Sequence, residues 1–349
     1  MDITELHPIE HLPHSNVKRL LLGRGAIDAL GPTFGRFVVT TMEVPWNLAR
    51  DRLGAEPIAV IDVTDMELER VEAAEREAPD VDTVVTIGGG QAADMGKYLA
   101  WKRQLPLVNI PTIVSTNAYV TQAVGIRNQG TVEYLGSVAP ELVVVDYDLV
   151  RTAPREFNIA GCGDILSIYT ASFDWRLASE AGKEPLGYSE EAASRAQALL
   201  TRLADQAEEI RTLTDQGIRT IVECYLEIND ICIPLGHYRP EEGPEHFFAY
   251  NVEYLTRRTY VHGWLVGLGI HLMSQLQGND PVRIKALMQQ LDLPHSPRVN
   301  NLTRDDVANA LQTLRERTER DHRWYGIINH RDITPVFIEE VTRALECAE

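Results

Sequence analysis

The chain has 349 residues, of which 24% are charged and 44% hydrophobic, and a formal net charge of −18 at pH 7. That charge excludes a general nucleic-acid binder or a protein held on anionic membranes, since both surfaces would repel it. The length is enough for one large domain or two, and the four cysteines, Cys162, Cys224, Cys232 and Cys347, are too scattered for a disulfide scaffold or a CxxC site.

Taken in chain order, the opening MDITELHPIEHLPHSNVKRLLLGRG is polar and broken by prolines before any apolar run, unlike a signal peptide or a membrane span. With the scattered thiols this predicts a cytoplasmic protein. His7, His11 and His14 in this segment read as solvated side chains, and LLGRGAIDAL, with only a GxG, reads as a simple strand-to-helix turn. Up to about residue 150, short β-rich runs (RFVVTT, EPIAVIDV, DTVVTIGGG, LPLVNIPT, ELVVVDYD) alternate with amphipathic stretches such as MELERVEAAEREA and QAADMGKYLAWKRQ. The alternation predicts a parallel sheet covered by helices, an α/β domain over residues 1–155.

Within it, TIGGGQAADMGKYLA reads as a strand, the glycines Gly88, Gly89 and Gly90, and a helix whose first turns carry Asp94 and Lys97. Backbone N–H groups at the positive end of a helix suit a phosphate. The spacing is neither Walker A nor GxGxxG, and a tight ligand-free βα turn is the structural alternative. The next strand ends in IPTIVSTNAY, where Thr112, Ser115, Thr116 and Asn117 offer hydroxyls and an amide to a nucleotide. The earlier strand ending VVTTMEV lacks the acidic residue that would hold a ribose 2′-hydroxyl, so NAD and NADP both stay open.

After LVRTAPREF the strand signal fades and long helical patterns follow, SEEAASRAQALLTRLADQAEEIRTLTDQ and TRDDVANALQTLRERTERDHRWY among them. These predict an all-α domain over residues 156–349, interrupted by a loop at Pro234, Pro240 and Pro244. Two such halves predict an active site in the interdomain cleft. Three polar residues sit among apolar or small neighbours in the helical half: Asp164 after Gly161 and Gly163, His246 beside Phe247 and Phe248, and His262 in HGWLVGLG. Each alone would be a helix cap or a hydrogen-bonded core residue. Together one carboxylate and two imidazoles suit a catalytic divalent metal, although the histidines are sixteen positions apart and have to meet through the fold. His237 and His271 could support such a site from behind.

The turn GGGxxxDxxK, the segment PTxxS, AGxGDxLSxYTAxxDWxLA, GxEHxxxxxxE and HGxxVGxG occur in that order from about residue 20 to residue 330. They resemble the superfamily of iron-containing alcohol dehydrogenases, glycerol dehydrogenases and dehydroquinate synthases, and within it the sn-glycerol-1-phosphate dehydrogenase branch. The resemblance implies a Rossmann-like N-terminal domain binding NAD(H) or NADP(H) and a helical domain binding one divalent metal. Zn²⁺ is the expected ion, Fe²⁺ and Ni²⁺ the alternatives. It places the metal on Asp164, His246 and His262, and the cofactor on Gly88, Gly89, Gly90, Asp94, Thr112 and Ser115, to which the reading above adds Asn117. A homodimer or higher homo-oligomer acting on a small molecule is expected.

The resemblance implies a metal-dependent NAD(P)-linked oxidoreductase interconverting a secondary alcohol, such as a polyol or cyclitol, and its ketone. Glycerol-1-phosphate dehydrogenase proper, a dehydroquinate-synthase-like lyase or cyclase using NAD transiently, and a non-catalytic descendant are the rivals. Where the branch reads SxDGYAS and EHxxSH, this chain has Ser115 to Thr121 with Asn117 for the Asp, and Glu245-His246-Phe247-Phe248-Ala249-Tyr250. A basic residue usual in the branch is absent from GTVEYLGSVAPELVVVD. Fewer partners for a phosphate predict an uncharged substrate, with Arg239 or Arg257 as cations that would reverse the expectation.

Overall fold

In the computed structural model residues 3–6, 12–128, 131–345 and 347 are described, so His7 and His11 lie outside the described residues. Among the described residues the β-branched runs form nine strands: β1 (Thr4–Leu6), β2 (Leu20–Gly23), β3 (Phe37–Thr41), β4 (Ala59–Asp62), β5 (Thr83–Gly88), β6 (Leu107–Pro111), β7 (Ala123–Asn128), β8 (Thr131–Ser137) and β9 (Leu142–Asp146). Seven of them make one sheet in the order β1-β2-β9-β6-β5-β3-β4, parallel except for the β1–β2 pair. β7 and β8 pair separately as an antiparallel ribbon. The expected strands are all present, β2 among them as the strand before the GxG turn; β1 and the ribbon were not anticipated. After β2 the chain makes a run of turns with Ala29 at φ 59°, where a helix was expected.

The helices of this part are α1 (Glu43–Ala49), α2 (Leu68–Glu77), α3 (Gly90–Arg103) and α4 (Tyr147–Val150). Central strands β3, β5, β6 and β9 are buried at every position, which is why their sequences run apolar without alternation. One sheet face packs Phe37, Val39, Val85, Ile87, Val108 and Ile110; the other packs Val38, Val84 and Leu107 with Leu99 of α3. α3 lies on the sheet at glycine distance: a Cβ on Gly96 would fall 2.1 Å from Thr86 Cγ2 and 2.9 Å from Thr40 Oγ1. Strand order reverses between β3 and β5, the kind of switch point beyond which open α/β sheets take ligands. Gly88 ends β5 there.

The remaining helices are α5 (Arg155–Ile159), α6 (Gly161–Leu166), α7 (Ile168–Glu180), α8 (Glu190–Asp205), α9 (Ala207–Arg211), α10 (Asp215–Leu235), α11 (Pro244–Thr256), α12 (His262–Gln277), α13 (Pro281–Gln290), α14 (Arg304–Arg320), α15 (Ile327–His330) and α16 (Pro335–Arg343). The chain divides into two compact units, residues 1–158 with 213–230, and residues 159–212 with 231–349. A single boundary at 155 therefore does not describe it. Most of α10 belongs with the sheet, tied by Asp215 to Arg24 at 2.9 Å and to Arg151, and by Tyr225 edge-on to Tyr119 at 6.1 Å. No periodicity in the sequence reports such long-range pairs.

The second unit contains no strand among the described residues. Its helices approach at backbone contact. A Cβ on Gly163 of α6 would lie 2.3 Å from the Gly263 carbonyl oxygen, and one on Gly263 of α12 would lie 1.7 Å from that of Ala160. On the α11 side, a Cβ on Gly269 would lie 2.5 Å from the Glu245 carbonyl oxygen. Asp174 of α7 accepts from the Ile327 N–H and from Gln277 Nε2, both at 2.9 Å, while burial pushes its carboxyl up to about 7. The DW motif thus joins α7, α12 and α15.

Gly96→Val should lower stability by at least about 1–3 kcal/mol, because neither Thr86 nor Thr40 can withdraw from a packed sheet. A lowered thermal midpoint checks it; an unchanged one would refute the close packing.

Candidate metal centre

Three elements of the second unit each supply one residue. Asp164 stands in the first turn of α6, where Gly163 lets that helix meet α12. His246 stands in the first turn of α11, after Gly243 as N-cap and Pro244, whose missing N–H costs nothing there. His262 opens α12. One ligand atom from each lies within 4.8 Å of the other two, the single such group among the described residues. The two imidazole centroids are 5.3 Å apart, and His262 Nε2 is 3.3 Å from Asp164 Oδ1.

The electrostatics of this cluster suit a cation. Asp164 is buried, its Oδ1 accepts no hydrogen bond, and burial raises its pKa against the opposing pull of His262 and His246. A carboxylate oxygen taken from water without a donor is costly, and a cation removes that cost. Burial also pushes His246 down to about 4, keeping the imidazole neutral and its lone pair available.

Glu245 decides which nitrogen carries that lone pair. Its Oε1 receives the Gly243 N–H at 2.7 Å and sits 2.8 Å from His246 Nδ1, while Oε2 receives the Thr170 hydroxyl at 2.6 Å. With Glu245 ionised, Nδ1 donates to the carboxylate and leaves Nε2 for an ion, the arrangement that orients metal-bound histidines. Burial lifts the Glu245 carboxyl to about 7. Reading single residues missed this role, although Glu245 was in view beside His246 as part of GxEH.

His237 and His271 are placed elsewhere: the first packs edge-on to Trp175 at 5.4 Å, the second faces His295 at 5.9 Å. Arg239 is consumed by a buried ion pair with Glu184 at 2.9 Å and by the Asp174 and Tyr325 carbonyls. Arg257, at the end of α11, lies over the Tyr254 ring at 4.4 Å. Phe248 is fully buried in the core.

In the first unit the glycines divide by role. Gly88 has φ 151°, which side chains rarely adopt, and a Cβ there would fall 2.8 Å from Ala92 Cβ. Gly89, the N-cap of α3, has an ordinary φ of −91°, and a Cβ on it would meet only Ile113 Cγ2, at 3.1 Å. Backbone geometry alone does not demand glycine at this position. A Cβ on Gly90 would lie 3.1 Å from Thr116 Oγ1. No side chain caps α3 and no acid occupies its first turn, so its leading N–H groups suit an anion. The Thr112 N–H bonds the Gly88 carbonyl at 3.1 Å, setting the end of β6 against the turn, and Ser115, Thr116 and Asn117 follow half-buried. Asp94 is differently engaged: its Oδ1 pairs with fully buried Lys97 at 2.7 Å and accepts the Gly125 N–H at 3.1 Å, bracing β7 against α3.

A family model described as iron-containing alcohol dehydrogenase matches residues 36–154. The NAD(P)+ glycerol-1-phosphate dehydrogenase of Aeropyrum pernix is 32% identical over 285 residues, covering 80% of this chain and 79% of that protein. That of Hyperthermus butylicus is 28% identical and covers 97% and 98%. Among solved structures, a probable glycerol dehydrogenase from Sinorhizobium meliloti superposes with a TM-score of 0.72 at 22% identity, covering 95% of this chain and 96% of the other. The glycerol dehydrogenase of Schizosaccharomyces pombe gives 0.71 at 19%, covering 93% and 88%. These two share the fold.

His262→Ala should strip the second unit of its cation, read as metal content after gel filtration; full occupancy would refute the cluster as a metal centre. Glu245→Gln should keep the metal but weaken its affinity about 10–100-fold, measured by competition with a chelator.

Proposed function

The chain belongs to the iron-containing alcohol dehydrogenase family, and on that premise we propose that it interconverts a secondary alcohol of polyol type and its ketone. NAD(H) or NADP(H) carries the hydride, and one divalent cation is held by Asp164, His246 and His262. The observation that carries the reading is the buried Asp164 oxygen, without a donor, facing two imidazoles. Zn²⁺ is the ion we assign, because two nitrogens and one carboxylate leave a position for substrate; the same set would serve Fe²⁺.

Such a cation supplies Lewis acidity at the substrate oxygen, easing loss of the hydroxyl proton. The protein's own part is positioning. Glu245 holds the Nδ1 proton of His246 and keeps Nε2 aimed, and burial keeps that ring neutral. The N–H groups of the turn at Gly88, Gly89 and Gly90 receive the cofactor pyrophosphate, and the half-buried Ser115, Thr116 and Asn117 with Thr112 offer hydroxyls and an amide to its nicotinamide half. Asp94 serves the cofactor by stiffness, holding the first turns of α3 to β7 through Lys97 and Gly125. Among the described residues no helix is long and apolar enough to cross a membrane, and Cys162, Cys224, Cys232 and Cys347 are free thiols, which supports a small-molecule enzyme of a reducing compartment such as the cytoplasm.

Gly89→Val should raise the dissociation constant for NAD(P)H at least about tenfold, the equivalent of 1.4 kcal/mol, with metal content unchanged. Calorimetry showing unaltered affinity would remove the turn from the cofactor site. Assays of polyols with NAD+ and NADP+ should yield one reduced cofactor per ketone; product formed without net reduction would overturn the dehydrogenase reading.

A further inference from the structure

Asn158, the next-to-last residue of α5, is fully buried. A buried primary amide has to find both a donor and an acceptor, and this one finds them outside any helix or sheet ladder. Its Oδ1 accepts the Val114 N–H at 3.1 Å, and its Nδ2 donates to the Val150 carbonyl, at the end of α4, at 3.0 Å. Turned end for end, the amide would set donor against donor and acceptor against acceptor, so the two bonds together fix its orientation.

Val114 lies in the segment that follows β6, and that segment runs along the glycine turn. The Thr112 N–H bonds the Gly88 carbonyl at 3.1 Å. A Cβ on Gly89 would fall 3.1 Å from Ile113 Cγ2, and one on Gly90 would fall 3.1 Å from Thr116 Oγ1. Ile113 and Thr116 thus look toward the turn, whereas Val114 is fully buried and its N–H points to Asn158. Further on, the segment closes in a turn, with the Val120 and Thr121 N–H groups on the Asn117 carbonyl at 2.9 and 3.1 Å. Between β6 and that turn the backbone belongs to no strand or helix, so Asn158 anchors a stretch that no ladder holds. All of these residues belong to the sheet-bearing unit.

We infer that Asn158 is a positioning residue for the dinucleotide: by tying Val114 to the end of α4, it sets how far Thr112, Ser115, Thr116 and Asn117 stand from the turn at Gly88, Gly89 and Gly90. This rests on the cofactor site proposed above and adds to it a residue buried behind the segment rather than in it. A segment anchored beforehand does not have to be ordered by its ligand, and ordering one backbone residue is worth about tenfold in a dissociation constant.

Calorimetry with NADH and with NADPH on the zinc-loaded protein tests the anchor without turnover. Asn158→Leu, which keeps a branched side chain but neither polar atom, should raise the dissociation constant of the dinucleotide at least about tenfold, with zinc content unchanged. Its thermal midpoint should also fall, because two buried groups lose their partners. Asn158→Asp separates the two effects. A side-chain oxygen still accepts the Val114 N–H there, so affinity should stay within about threefold of the natural value even where the midpoint falls. Should Asn158→Leu not fold, Asn158→Ser takes its place with the same expected loss, since its shorter side chain leaves the Val114 N–H out of reach. Natural affinity in Asn158→Leu, or equal losses in Asn158→Leu and Asn158→Asp, would overturn the inference and leave the dehydrogenase reading standing. Failure of the natural protein to bind either dinucleotide would strike the cofactor site proposed above, and the inference with it.

Discussion

Backbone-to-backbone contact between helices is the constraint on which the second unit depends. Side chains ordinarily hold helix axes 8–10 Å apart, but Gly163 and Gly263 remove the intervening atoms between α6 and α12, and Gly269 does the same against α11. Short side chains such as Asp and His can bridge a common point only if their helices come this near. The glycines are thus part of the ligand geometry, although none of them would touch a ligand.

Charge is the second organising term. Asp164, Glu241 and Glu245 are all buried, burial raises the pKa of each, and Glu241 feels both of the others. Concentrating carboxylates in low dielectric works against folding unless something positive belongs there. His246, held neutral by burial, does not supply that charge. The divalent cation proposed for Asp164, His246 and His262 would supply it.

Local pattern made much of this legible. Continuous β-branched runs marked β3, β5, β6 and β9 because a doubly covered strand has no polar side, and Gly88 announced the turn because only glycine takes its φ readily. The triad was legible as residues out of keeping with their neighbours. What escaped depends on partners distant in sequence. Asp94 reads as a helix-entry carboxylate until Lys97 and Gly125 are seen to share it. Asn158 is one polar residue in a short helix until its amide is seen to join Val114 to Val150. β1 escaped because it is only three residues long and lies in a polar segment broken by prolines.

The return of α10 to the sheet bears on how the protein is made. The chain passes between units three times, after residues 158, 212 and 230, so the sheet-bearing unit is incomplete when its last strand leaves the ribosome. It waits for Asp215 to reach Arg24, for Tyr225 to reach Tyr119, and for Asp230 to accept the His14 N–H at 2.6 Å. By then α6 to α9 have been synthesised, including Asp164, but neither histidine of the triad. The order of synthesis lets the sheet unit close first, while the cluster of Asp164, His246 and His262 is completed only by residues from the last third of the chain.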